Sequence, residues 1–156
     1  IIQNLVQILS DLDPENANTY HSNGKKTILQ LSDLNIQLET KMSLVSSKSY
    51  IVFHDAYQYF EKRYKLNPIA SVTASSGHST SVGRLIDIRK KIKIKNVLCI
   101  FTEPQFSPKL VETVISGTTV KTGILDPIGT SIPPGPEMYF TLLNNISHSI
   151  STCFKK

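Results

Sequence analysis

The sequence predicts a three-layer α/β domain, a four-stranded parallel sheet flanked by helices and preceded by one long helix. Two patterns predict it. From residue 50 onward, short apolar runs alternate with amphipathic segments: YIVF then YFEKRYKL, IASVT then VGRLIDIRKKI, VLCIF then PKLVETVIS, VKTGIL then PEMYFTLLNNISHSI. Runs that read as buried on both faces and are separated by helices argue for βαβ units rather than hairpins. Before residue 50, Tyr20, Ile28, Leu31, Leu38, Met42 and Val45 recur at spacings close to multiples of 3.6, the period of one helical stripe.

Taken in order, residues 1 to 9 read as a short helical lead-in. Asp13-Pro14-Glu15 then has the form of a helix start, with Asp13 as N-cap, Pro14 at the first helical position and Glu15 in the first turn. The long helix it opens turns its stripe to a core and Lys25, Lys26, Asp33 and Glu39 to water; Gly24 weakens it by about 1 kcal/mol relative to alanine. The chain therefore divides into residues 1–47, the lead-in and long helix, and residues 48–156, the α/β unit. The stretches ASSGHSTS and IPPGPE read as loops, and there are no internal repeats.

A chain of 156 residues, 40% apolar and 19% charged, has the size and composition of a globular domain with a real core. No apolar stretch approaches the roughly 20 residues of a membrane helix, so no crossing of a bilayer is expected. The sequence opens on Ile1 without the cationic flank and cleavage site of a signal peptide, from which a mature or truncated product is expected. The net charge of +5 is modest, and its densest source, GRLIDIRKKIKIK, carries Leu85, Ile88 and Ile92 at helical spacing. No aromatic residue interleaves with these lysines, so the run reads as a solvated helix face and no nucleic-acid partner is expected.

The chemistry gathers at the ends of the strands. His54 closes the first apolar run, Glu103 the third and Asp126 the fourth, and in a parallel sheet these carboxyl ends share one edge, where ligands of open α/β sheets bind. Pro104 and Pro127 follow the two acids and hold them in extended geometry. Each group alone has an ordinary structural explanation as a helix cap or loop acceptor, as does Asp55 before AYQYFEKRY. Together, imidazole and carboxylate suit a borderline divalent cation such as zinc, or an acid-base pair. GxSxG, GxxxxGK and GxGxxG are all absent, which argues against a serine nucleophile, a phosphate loop and a dinucleotide. The cysteines leave two readings open. Cys99, inside an apolar run, and Cys153, near the end, either form a bridge closing a loop of about fifty residues or remain two thiols in a reducing compartment.

FHDAYQYFEKRYKL, FTEPQF, SGTTVKTGILDPIG and the terminal cysteine together resemble the carboxyl-terminal lobe of the ZnuA-type high-affinity zinc-binding proteins of bacterial ABC importers, from about Asp13 to the end. The resemblance implies a periplasmic solute-binding protein rather than an enzyme, with the long helix as the backbone between two lobes and local loop rearrangement rather than wide closure. It implies zinc held between the lobes by His54 and by histidines of the other lobe, with Asp126 at the site as a further ligand. Glu103 is then a residue that orients site groups by hydrogen bonds. Relatives that prefer Mn2+ carry a carboxylate at the position of His54, so His54 favours Zn2+. The resemblance also implies a Cys99–Cys153 disulfide and delivery of the ion to a membrane permease. The amino-terminal lobe, its NPHxW-like motif and its acidic, histidine-rich loop are absent from these residues, which leaves half a site and predicts weak zinc binding by this chain alone. His78 departs from the family pattern; it reads as a solvated loop histidine with an extra metal contact as the alternative, and His21 and His148 read as helix-surface residues. A small α/β enzyme using His54 with Asp126 or Glu103 as acid-base partners is the competing reading.

Overall fold

The computed structural model describes residues 1–73 and 81–155, so His78 lies outside the described residues. The chain forms two compact units, Ile1–Gln37 and Leu38–Lys156. In the first, helix α1 (Ile2–Leu12) leads through a 3-10 turn, Pro14–Asn16, into the long helix α2 (Ala17–Ser43), whose last turns belong to the second unit. The lead-in helix is thus longer than expected, while Asp13, Pro14 and Glu15 take the expected N-cap, first and first-turn positions, here of the 3-10 turn. The Asp13 side chain makes no capping bond to the backbone. Instead its Oδ2 accepts the Asn16 amide and the Tyr20 hydroxyl, each at 2.8 Å, because these side-chain donors reach it once Pro14 starts a tight turn. Gly24 has a positive reason to be glycine: a Cβ there would overlap the Val6 side chain of α1.

The second unit runs β1 (Ser49–Val52), α3 (Gln58–Arg63), β2 (Asn67–Ser71), α4 (Val82–Ile94), β3 (Cys99–Thr102), α5 (Lys109–Ile115), β4 (Lys121–Ile124) and α6 (Met138–Lys155). Every pairing is parallel and the strand order is β2-β1-β3-β4, so the expected four-stranded parallel sheet is present. Pro68, which has no N–H to give a ladder, sits on the edge strand β2, where the register shifts between Tyr50 and Ile51.

Alternation along the strands builds two cores. Tyr50, Val52, Cys99 and Phe101 pack with Met42 of α2, with Val45 in the turn after it, and with Ile146 and Ile150 of α6. Ile51, Phe53 and Ile100 turn to the other face and pack with Ile88 and Ile92 of α4 and with Val111 and Val114 of α5. Helices α3 and α4 stop by the same device: Lys65 and Asn96 take φ of 53 and 48, and the next N–H reaches back, Leu66 to the Glu61 carbonyl and Val97 to the Ile92 carbonyl, both within 3.0 Å.

The disulfide is present, joining Cys99 of β3 to Cys153 of α6, and both residues are buried. Gly123, the register partner of Phe101, lies under that aromatic ring; a Cβ there would stand 2.6 Å from Phe101 Cε1. Phe101 is fully buried and has no room to retreat. Gly123→Ala is therefore expected to lower the unfolding free energy by about 1–3 kcal/mol, measured as a lower urea midpoint at unchanged slope.

Candidate metal centre

The strand order decides which loops meet. The chain leaves β1 through α3, which packs on the first core, and returns to β3 through α4 on the second, so the carboxyl ends of β1 and β3 lie side by side where the connections diverge. Pairing continues past β1, with Thr73 N–H on the Phe53 carbonyl at 2.9 Å, and His54 is the next residue. Glu103 follows β3 directly. The two side chains meet across this gap: His54 Nδ1 and Glu103 Oε2 are 2.8 Å apart. Neither atom takes part in any other hydrogen bond.

Glu103 is the more deeply set, with its side chain wholly buried, while that of His54 is 19% exposed. Burial pushes the Glu103 carboxyl above the usual range, against the lowering pull of His54 and of the Tyr57 hydroxyl. That hydroxyl donates to Oε1 at 3.3 Å, so both carboxylate oxygens are engaged inside the protein. With Nδ1 occupied by Glu103, Nε2 is the ring nitrogen left for a cation. Phe106 walls the imidazole edge-on at a centroid distance of 6.1 Å and is itself stacked on Phe53 at 4.8 Å. Asp55 does not cap α3; its Oδ2 instead accepts the Gln58 amide at 2.6 Å.

Asp126 follows β4, two strands from β1 and so roughly 10 Å across the sheet from the β1 terminus. Its carboxylate is saturated from its own surroundings. Oδ1 accepts the Gln105 amide at 2.8 Å and the N–H groups of Ile128 and Gly129 at 3.2 and 3.0 Å; Oδ2 accepts the N–H and hydroxyl of Thr130, both at 2.6 Å. The loop after β3 thus serves both sides of the rim, Glu103 on His54 and Gln105 on Asp126. Tyr57, Gln105 and Thr130 were not singled out from the sequence. The one local signal for Tyr57 and Gln105 is their place in the motifs FHDAY and FTEPQF. His21 and His148 are exposed on their helices as expected, and His148 also lines a cavity of about 240 Å³ beside Asp126 and Pro104. Among the described residues, no group of three or more His, Cys, Asp or Glu side chains gathers to hold a metal.

The Asp126 carboxyl titrates below its ordinary value: partial burial raises it, but the bonds from Thr130, Gln105 and the Ile128 N–H prevail. An acid held low in the folded state contributes stability above its unfolded pKa of about 3.9 and loses it as pH falls through the folded value. Asp126→Asn is accordingly expected to flatten the fall of the urea midpoint between about pH 5 and pH 2, while lowering the midpoint near neutrality.

The family model described as "Zinc-uptake complex component A periplasmic" matches residues 1–153. The chain belongs to the ZnuA family. A high-affinity zinc uptake system protein ZnuA from Brucella suis biovar 1 is 40% identical over 152 residues, which are 97% of this chain and 46% of that protein. Among solved structures, a crystal structure of ZnuA superposes with a TM-score of 0.79 at 25% identity, covering 96% of this chain and 55% of that one. The laminin-binding protein Lbp of Streptococcus pyogenes superposes at 0.78 with 26% identity, covering 96% and 57%. The chain spans about half the length of the ZnuA relatives it matches. No described helix is long and apolar enough to cross a membrane.

Proposed function

We propose that this chain is the carboxyl-terminal half of a periplasmic zinc-binding protein of an ABC importer. It captures Zn2+ at the sheet edge and passes the ion to a membrane permease without doing chemistry on it. The observation that carries this reading is the buried Glu103 carboxylate set against Nδ1 of a partly exposed His54. A carboxylate behind an imidazole fixes the ring and raises the basicity of its other nitrogen, the arrangement that metal-binding histidines use. The choice of imidazole rather than carboxylate at position 54 supports zinc over manganese.

His54 contributes Nε2 to the ion. Asp126 stands on the same rim with five donors on its oxygens, so it ligates only by exchanging one of them, and His54 carries the larger share of the affinity. Zinc takes four ligands, and the remaining ones come from outside these residues, in the length by which the ZnuA relatives exceed this chain. Capture replaces the hydration shell, and loss of one of these ligands at the permease releases the ion.

Titration calorimetry of zinc into this chain tests the reading. Binding is expected to be micromolar or weaker, as two ligands from one lobe dictate, and His54→Ala is expected to abolish it while Asp126→Asn changes it by less than about tenfold. A submicromolar affinity untouched by His54→Ala would refute the assignment.

A further inference from the structure

The chain carries 17 Lys and Arg against 12 Asp and Glu, and their distribution is uneven. Residues 84–95, almost all of α4 and its C-cap, hold six of the cations and one acid, Asp87. The other eleven cations and eleven acids cancel, so the whole net charge of +5 is the charge of α4 together with its C-cap. Three of its six cations are tied down. The Arg84 guanidinium donates to the carbonyls of Ser71 and Val72 at 2.7 and 3.0 Å, Arg89 to those of Thr113 and Ser116 at 3.0 and 2.7 Å, and Lys91 pairs with Asp87 at 3.1 Å. Lys90, Lys93 and Lys95 are exposed and take no ion pair among the described residues.

The same helix carries apolar side chains on two sides. Ile88 and Ile92 are buried in the second core. Val82, Ile86 and Ile94, which share one i, i+4 row with Lys90, are 73%, 50% and 77% exposed. Exposed apolar residues occur elsewhere on the chain, but these three line up in one row with a lysine, a pattern that suits an amphipathic interface.

We propose that the outward face of α4 docks on an anionic phospholipid bilayer, with Lys90, Lys93 and Lys95 at the lipid phosphates and Val82, Ile86 and Ile94 in the headgroup boundary. The type of cation favours lipid over an acidic protein. Arginine recognises a fixed carboxylate bidentately, and both arginines here are spent on the protein's own carbonyls. The free cations are lysines, compact charges on flexible stems that suit a fluid layer of phosphates and let apolar neighbours sink between them. The proposal is independent of the metal site.

Co-sedimentation of the chain with vesicles tests it. Binding is expected to phosphatidylcholine vesicles containing about a quarter phosphatidylglycerol, to be absent with phosphatidylcholine alone, and to be released as salt rises from about 0.01 M to 0.5 M. Each lysine contributes about fivefold to partitioning, so Lys90→Gln/Lys93→Gln/Lys95→Gln should weaken it about a hundredfold. Ile86→Ser/Ile94→Ser should weaken it about tenfold. Lys25→Gln/Lys26→Gln, which removes charge from α2 instead, should leave it unchanged. All the substituted positions are exposed, and an unfolding curve for each variant verifies the fold. Equal binding to both vesicle types, or an α2 variant as damaging as the α4 one, would overturn the proposal. So would dependence on the lysines with none on the isoleucines, which would assign the face to an acidic protein.

Discussion

Cys153→Ser is expected to lower the unfolding free energy of the second unit by about 4 kcal/mol and its melting temperature by roughly 10–15 °C. The bridge spans a sequence separation of 54, and a loop of that length loses much chain entropy when closed in the unfolded state. The folded state also depends on it locally. Cys153 lies three residues beyond Ile150 and next to Phe154, whose ring also packs against Tyr50 of β1, so the bridge pins the end of α6 to β3. Cys99→Ser should cost as much or slightly more, because it also places a hydroxyl in a fully buried site. Adding reductant to the unmodified chain should reproduce the loss in a urea titration, and a difference below about 1 kcal/mol would mean that packing alone holds α6.

Glu103→Gln should separate affinity from stability. On the proposed function, zinc affinity is expected to fall about 10- to 100-fold, since the amide neither fixes the His54 ring as a carboxylate does nor raises the basicity of its outer nitrogen. Stability is expected to change by no more than about 1 kcal/mol, because burial already disfavours the ionised carboxyl, and a neutral isostere escapes that penalty while still accepting the Tyr57 hydroxyl. Glu103→Ala should lose both, leaving Tyr57 and His54 with buried unpaired atoms at about 1–3 kcal/mol each. The readouts are a zinc competition titration and a urea midpoint. Unchanged affinity in Glu103→Gln would show that His54 needs no partner behind it.

The parallel sheet was legible because its central strands announce themselves locally: YIVF and VLCIF bury both faces, and the segments between the runs carry a helical period, although the edge strands β2 and β4 stay exposed or half-buried. The family was legible for the same reason, since FHDAY, FTEPQF and ILDPIG are contiguous strings. Asp13 and Gly24 were not. Whether Asp13 meets a backbone N–H or the Tyr20 hydroxyl depends on how tightly the chain turns at Pro14, and whether Gly24 is a weakness or a fit depends on Val6, eighteen residues earlier, lying against it.

By itself, then, the sequence determined the elements, their parallel class, the charge of α4 and the presence of an imidazole and two carboxylates at strand ends. Only the tertiary structure decided that these strands lie in the order β2-β1-β3-β4, which seats Glu103 beside His54 and sends Gln105 to Asp126. The division is physical. Periodicity and strand-forming preference are set by neighbours a few residues away, whereas the meeting of residues 54 and 103 depends on which strands pair, a choice made by the summed packing of both faces that no single segment records.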